Sequence, residues 1–403
     1  MIKLCAHEDC TGCLACKYVC PKNAISVVLK NGFAYPEIDN CSCLQCERCM
    51  NICPSLNAST MEPQVHEVYA CYSKDGNIRR NSSSGGIFTI LASSIIEREG
   101  VVCGVTVDDQ LNIRHTIVSE ERDLSSLRGS KYVQSDVECC YSEIDSLLKK
   151  GQSVLFSGTP CQVAAVNRLI RRNRENLCTL DFICHGVPSP DFFHAYCSYL
   201  EKRYQSKIFS LKFRDKERGW MFFNMRVQFE NSQVYIGEWH SDPFLRGFLR
   251  DLVLRPCCYT CRYRSRNRES DITLADYWEY IHHNYLHWNT DKGISKVIIN
   301  TEKGKNWYQN SLNKCGVRSF TRTLLDKKII DKSLSSKCIR PDTVDLFWQE
   351  FETDDFESLI EKYLFPDSMS LKTRLRQVLI KLPCAGFVFF LFGKIFRSIN
   401  KCF

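Results

Sequence analysis

Several things are missing from this 403-residue chain, and each absence narrows its biology. The opening residues, Met1-Ile2-Lys3-Leu4-Cys5, include no apolar signal segment, so a secreted protein stapled by disulfides is not expected. The apolar stretch Leu382 to Gly393 stops at twelve residues, short of the roughly twenty a helix needs to cross a bilayer. No nucleic-acid-binding motif accompanies the basic residues, which excludes that class of partner. Charge is also absent in places. Residues 341–361 hold eight acids and no Lys or Arg, whereas residues 366–403 hold seven Lys/Arg and only one acid, Asp367. That last segment therefore accounts for most of the formal net charge of +8.

Cysteine is abundant, with 25 in the chain. Eight fall in two copies of one spacing, C-x2-C-x2-C-x3-C-P: Cys10, Cys13, Cys16 and Cys20 before Pro21, then Cys43, Cys46, Cys49 and Cys53 before Pro54. Three thiolates two residues apart wrap one iron–sulfur cubane, and the fourth, beyond a turn ended by proline, ligates the partner cluster. The expected sites are Cys10, Cys13, Cys16 and Cys53 for one 4Fe–4S cluster, and Cys43, Cys46, Cys49 and Cys20 for the other. A pair of zinc sites is the bland alternative, but it leaves the duplicated Cys-Pro unexplained. Such clusters need a reducing compartment, so a cytoplasmic protein is expected, with the remaining cysteines mostly buried and reduced.

Along the chain, residues 1–59 form the two-cluster unit, with a hairpin turning at Asn31-Gly32 between the cysteine runs. A polar connector, residues 55–63, marks a boundary. Strands and helices alternate over residues 65–190, the pattern of an α/β domain. Residues 191–325 read as a second, more antiparallel unit, and residues 341–403 as an acidic segment followed by the basic, apolar tail. The fold class expected is α+β, an N-terminal ferredoxin-like domain followed by a mixed α/β domain.

Two loops suit an anionic cofactor: Ser82 to Gly86, opening a helix, and Ser157-Gly158-Thr159-Pro160 after a strand. Either can equally be a plain turn. Outside the ferredoxin unit, Cys258 and Cys261 form a C-x2-C pair, and Cys161 and Cys184 each follow a strand. These four either form a third metal site, or remain packed thiols beside a pair that binds zinc or nothing. Seven arginines between Phe244 and Arg268, against one acid, read as a phosphate clamp or as a solvated basic face. The apolar tail reads as an interfacial membrane anchor, or as a segment buried against the core or a partner.

The order of motifs resembles the coenzyme F420 hydrogenase/dehydrogenase family of beta subunits, in the form with an N-terminal ferredoxin domain. The resemblance rests on Ser84-Gly85-Gly86, Gly129 to Ser135, Gly158-Thr159-Pro160-Cys161-Gln162, Cys184-His185-Gly186-Val187-Pro188-Ser189-Pro190, Arg255-Pro256-Cys257-Cys258-Tyr259-Thr260-Cys261 and Asp271 to Trp278. It implies a flavin-binding α/β domain, with Ser84, Gly85, Gly86, Lys131, Tyr132 and Thr159 at FAD. It also implies Cys161, Cys184, Cys258 and Cys261 around an adjoining cluster, where Cys257 replaces a small residue and competes with Cys258 as ligand. Lys131, as a cation by the flavin, would stabilise its anionic reduced form. His185 would supply a proton or hydrogen-bond its own turn. The function implied is an oxidoreductase passing electrons between the clusters and FAD, with a redox partner protein or ferredoxin on one side and an organic or deazaflavin substrate on the other. The alternative is a relay subunit with no substrate of its own.

Overall fold

The computed structural model describes residues 2–57, 67–266, 268–278, 290–315, 318–321 and 338–365. The expected connector falls mostly outside them, and the apolar basic tail wholly so. Among the described residues no helix is long and apolar enough to cross a membrane.

In the N-terminal unit, β1 (Ile25–Lys30) and β2 (Phe33–Ile38) pair with Lys30 opposite Phe33, leaving Asn31 and Gly32 as the two-residue loop. Both have positive φ, 54° and 73°, as this tight turn requires. Helices α1 (Ala15–Tyr18) and α2 (Arg48–Ile52) carry Cys16 and Cys49 at corresponding places in the two cysteine runs. The duplication extends to the backbone. Gly12 and Leu14 in the first run are left-handed, as are Gln45 and Glu47 at the same places in the second.

The main sheet has eight strands: β3 (Glu67–Tyr72), β4 (Val101–Val107), β5 (Ile113–Val118), β6 (Val154–Ser157), β7 (Leu177–Phe182), β11 (Ile272–Asp276), β12 (Ser295–Ile299) and β13 (Arg318–Thr321), in the order β13-β3-β12-β11-β7-β6-β4-β5. The central four, β4-β6-β7-β11, run parallel, and the flanking pairs are antiparallel. The sheet thus draws strands from both sides of residue 190, with Ile272 to Leu274 pairing parallel to β7.

Alternation along the strands splits the core in two. Val101, Cys103, Val154 and Phe156 face α6 (Glu138–Lys149), α7 (Pro160–Leu169) and the ferredoxin unit. Val102 and Leu155 face the opposite side, with α4 (Ile87–Ile96) and α10 (Glu302–Cys315). Short helices α3 (Gly76–Asn81) and α5 (Leu124–Leu127) lie in the connections.

A second sheet, β10 (Val234–Glu238), β9 (Asn224–Phe229) and β8 (Ile208–Asp215), is antiparallel throughout, as the closer strand spacing predicts. It shares a core with α8 (Pro190–Tyr204), α9 (Pro243–Leu249) and the acidic segment, folded as α11 (Val344–Phe351) and α12 (Phe356–Leu359). Val344, Phe347, Leu359 and Leu364 are buried there, so the acidic run is the wet face of an amphipathic pair.

Candidate metal centres and the adjoining site

Left-handed residues within each cysteine loop turn successive backbone N–H groups inward, a geometry suited to anionic clusters. Backbone amides already point at sulfur: Ala24 N donates to Cys20 Sγ at 3.3 Å and Gln45 N to Cys43 Sγ at 3.4 Å. The Cys10, Cys13, Cys16 and Cys53 side chains are mutual neighbours, since burial and the nearby Cys13, Cys10 and Cys53 thiols together push Cys16 up. Burial pushes Cys13 up to about 11. The second group, Cys20, Cys43, Cys46 and Cys49, lines one small cavity. The two groups match the crossed assignment expected from the spacing. They differ in depth: Cys10, Cys13 and Cys16 are buried, while Cys46 is exposed.

A fifth thiol joins the first group. Cys5 hydrogen-bonds Cys10 and Cys53 and lowers each to about 6. Nothing in the motif spacing points to Cys5; only the folded N-terminus brings it there.

Cys161, Cys184, Cys258 and Cys261 come from three separate stretches of chain yet line one cavity, together with Cys257 and with Asp9, Thr11 and Ser55 of the ferredoxin unit. Burial first, then the Cys258, Cys161 and Cys261 thiols, push Cys184 up. Cys161 is likewise raised by burial, with Cys261, Cys258 and Cys13 as neighbours. The third cysteine set therefore abuts the first. Cys257 lies in the same cavity and hydrogen-bonds Cys258, so the structure leaves both thiols within it.

The residues expected at a flavin are distributed as follows. Ser84, Gly85 and Gly86 lie in the loop before α4, pressed against β3 and β12; a Cβ on Gly85 would come within 2.5 Å of the Cys71 carbonyl. Ser130 N donates to Ser83 Oγ at 2.7 Å, which ties this loop to the segment bearing Lys131 and Tyr132. Lys131 Nζ donates to the Ser126 and Arg128 carbonyls at 2.9 and 3.1 Å, and burial pushes it down to about 7. Tyr132 stacks on Phe248 with centroids 4.8 Å apart. Thr159 makes no hydrogen bond to the Ser84 loop. It caps α7 with Gln162, and its hydroxyl sits 3.1 Å from Cys161 Sγ at the cysteine cavity.

His185 Nε2 meets Asp251 Oδ1 at 2.7 Å, and its ring stands edge-on to Phe248 at 5.1 Å. Of the Arg-rich segment, several members are spent inside the fold. Arg246 and Arg250 donate to carbonyls of residues 363–364, Arg264 to the His185 carbonyl, and Arg268 pairs with Asp181 at 3.1 Å. For these four, neither a phosphate clamp nor a solvated face describes what is seen: internal carbonyls and a buried carboxylate take up the donors.

Sequence reading missed Arg214. Its Nη1 pairs with Asp276, which also accepts from Trp220 Nε1 at 2.9 Å, and its guanidinium lies over Phe223 at 4.6 Å. Burial opposes the Arg214 charge, but Asp276 and the Tyr132 hydroxyl outweigh it and keep the side chain cationic. Among the described residues its Nε and Nη2 are buried with no hydrogen-bond partner, an arrangement that a ligand's acceptors would relieve. A β-strand arginine has no local signal; its significance depends on a carboxylate 62 residues away.

Comparison with known proteins agrees with this architecture. A 4Fe-4S dicluster domain matches residues 9–57. Coenzyme F420 hydrogenase/dehydrogenase, beta subunit, matches as its N-terminal part over residues 68–139 and its C terminus over residues 151–319. One subunit of the F(420)H(2) dehydrogenase of Methanosarcina mazei is 23% identical over 326 residues, covering 75% of this chain and 82% of the relative. An uncharacterized protein of Methanocaldococcus jannaschii is 23% identical over 198 residues, 42% of this chain and 54% of that protein. Among solved structures, the F420-reducing [NiFe] hydrogenase complex of Methanosarcina barkeri aligns with a TM-score of 0.46 and 18% identity, over 72% of this chain and 91% of that one. With two cysteine runs folded as one dicluster unit ahead of a matched mixed α/β body, this chain belongs to the coenzyme F420 hydrogenase/dehydrogenase family of beta subunits, in the form that carries its own 4Fe-4S domain.

Proposed function

We propose that this iron–sulfur electron-transfer oxidoreductase binds FAD as well as its clusters, and exchanges electrons between a redox partner protein and an organic or deazaflavin-type substrate. The observation that carries the reading is a succession of contacts. The set of Cys20, Cys43, Cys46 and Cys49, open to solvent at Cys46, shares the ferredoxin unit with the set of Cys10, Cys13, Cys16 and Cys53. Cys13 of the latter lies near enough to Cys161 for their charges to interact, and Cys258 packs in one apolar cluster with Phe248 and Tyr132, beside Arg214. Clusters handle single electrons, and a flavin supplies the conversion to two-electron or hydride chemistry.

The residues present suit a flavin. Arg214 offers two unpaired buried donors for an anionic or carbonyl edge, while Tyr132, Phe213 and Phe248 form an apolar wall that excludes water. Arg214 thereby takes the part expected of Lys131, whose ammonium two carbonyls already occupy. The Ser82–Gly86 loop, at the start of α4, presents backbone amides to phosphate. His185, whose Nε2 meets Asp251 Oδ1, would move a proton through that pair. The name of the Methanosarcina mazei relative favours a deazaflavin as the two-electron partner.

Anaerobic purification tests the proposal. About eight to twelve irons per chain, as two or three 4Fe–4S clusters, with stoichiometric FAD bleached by dithionite would support it. Intact clusters without flavin would leave a relay subunit, and a colourless zinc protein would end the redox reading.

A further inference from the structure

The side-chain donors of the arginine that precedes the C-x2-C pair are spent outside that pair. Arg255 is fully buried and reaches back into the ferredoxin unit. Its Nε donates to the Cys10 carbonyl at 2.6 Å, one Nη to the Ala34 carbonyl at 2.9 Å, and the other Nη to Gln134 Oε1 at 2.8 Å. Its guanidinium lies 4.3 Å from the Tyr35 ring centroid. Gly12 makes the approach possible, since a Cβ there would come within 2.5 Å of both the guanidinium and Gln134 Nε2. No carboxylate pairs with Arg255 among the described residues. A whole positive charge thus sits in a low-dielectric interior against the loop of Cys10, where it acts strongly because neither water nor an acid screens it.

Among the described residues the second cysteine set has no such buried cation beside it. Its neighbouring cations, Lys22 and Arg48, are exposed, and Glu47 lies beside them. Lys17, the cation nearest the buried set on α1, is taken up by Glu138 at 2.6 Å. Burial alone would make the inner site the harder of the two to reduce, because adding negative charge in a low-dielectric setting is unfavourable.

We propose that Arg255 offsets this burial by stabilising the added negative charge of a one-electron reduction at the Cys10/Cys13/Cys16/Cys53 site, so that reducing equivalents from a low-potential one-electron donor settle inward, next to Cys161. Arg255 is then a tuning and positioning residue, supplied by the catalytic body to the ferredoxin unit. This inference rests on the proposed ligand assignment of the N-terminal clusters.

Two variants test it in the full anaerobic chain, by iron and sulfide content and by EPR-monitored potentiometric titration with dithionite. Gln134→Glu places a carboxylate against the guanidinium at the cost of the Gln134 Nε2 bond to the Thr11 carbonyl, and Arg255→Gln removes the charge. Both are expected to retain wild-type iron and to shift one cluster signal to lower potential, with the other signal unmoved; Arg255→Lys should shift it less. If Arg255→Gln does not fold, Gln134→Glu carries the test alone. Wild-type potentials for both signals in Gln134→Glu with full iron content would overturn the inference and leave the cluster assignment standing. A wild-type protein with no two N-terminal cluster signals would instead overturn the assignment beneath it.

Discussion

At the scale of single residues, Asp242 is the clearest case of a buried acid doing structural duty. Fully buried, it accepts from Leu245 N at 2.8 Å as the cap of α9, and from the Tyr196 and Tyr235 hydroxyls at 2.7 and 3.0 Å. Burial raises it from its ordinary 3.8 to about 6, against the pull of those three donors. The folded chain therefore holds this proton more tightly than the unfolded chain between those values. The proton-linked contribution is complete below pH 3.8 and lost as pH rises to about 6. Asp242→Asn should flatten that part of the urea midpoint against pH. Asp242→Ala should cost about 3–5 kcal/mol, from a lost cap and two buried hydroxyls without an acceptor. At the third cysteine set, Cys161→Ser should lower iron by about four per chain if those thiols hold a cluster, with the N-terminal EPR signals unchanged. Unaltered iron would reduce Cys161 to a packed thiol.

Among elements, the β1–β2 hairpin does more than separate two cysteine runs. Its turn packs on the start of α8, where a Cβ at Gly32 would come within 2.5 Å of Asp191 N and where Ser189 Oγ donates to the Asn31 carbonyl. Gly32→Ala combines a left-handed backbone with a clash against main chain, and should destabilise by about 2 kcal/mol or more, read as a fall in thermal midpoint. The acidic segment holds on by aromatic packing: Phe347, fully buried, meets Phe192, Phe351 and Tyr363. Phe347→Ala should cost about 3–5 kcal/mol locally and open residues 338–365 to limited proteolysis before the main sheet yields.

Across the whole molecule, the ferredoxin unit is fastened by groups that the body aims at the cysteine loops themselves. Tyr141 Oη donates to the Cys13 carbonyl at 2.7 Å, Gln134 Nε2 to the Thr11 carbonyl at 3.2 Å, and Arg255 to the Cys10 carbonyl. Buried bonds to loop carbonyls hold the inner site rigidly against the body, whereas half-exposed pairs such as Lys17–Glu138 add less. Tyr141→Phe should cost about 1 kcal/mol and raise hydrogen exchange in residues 10–18, leaving the loop at residues 43–49 unaffected.

Much of this protein was legible from local pattern. Thiols two or three residues apart must converge whatever surrounds them, so the two cysteine runs already specified which eight side chains the fold gathers into two sets. Asn31-Gly32 specified its turn. The third cysteine set was legible only as a site or as scattered packed thiols, because its members lie up to a hundred positions apart and only the ends of the main sheet bring them to one cavity. Arg214 carried no local mark at all, and Arg255 was marked only as one member of an arginine-rich stretch and of a cysteine motif, not as a partner of the Cys10 loop. The sequence by itself determined which chemistry the loops can hold, because short spacings leave the backbone few ways to arrange thiols. Only the tertiary structure decided where unscreened charge stands beside them, because that depends on which distant strand or turn excludes the water.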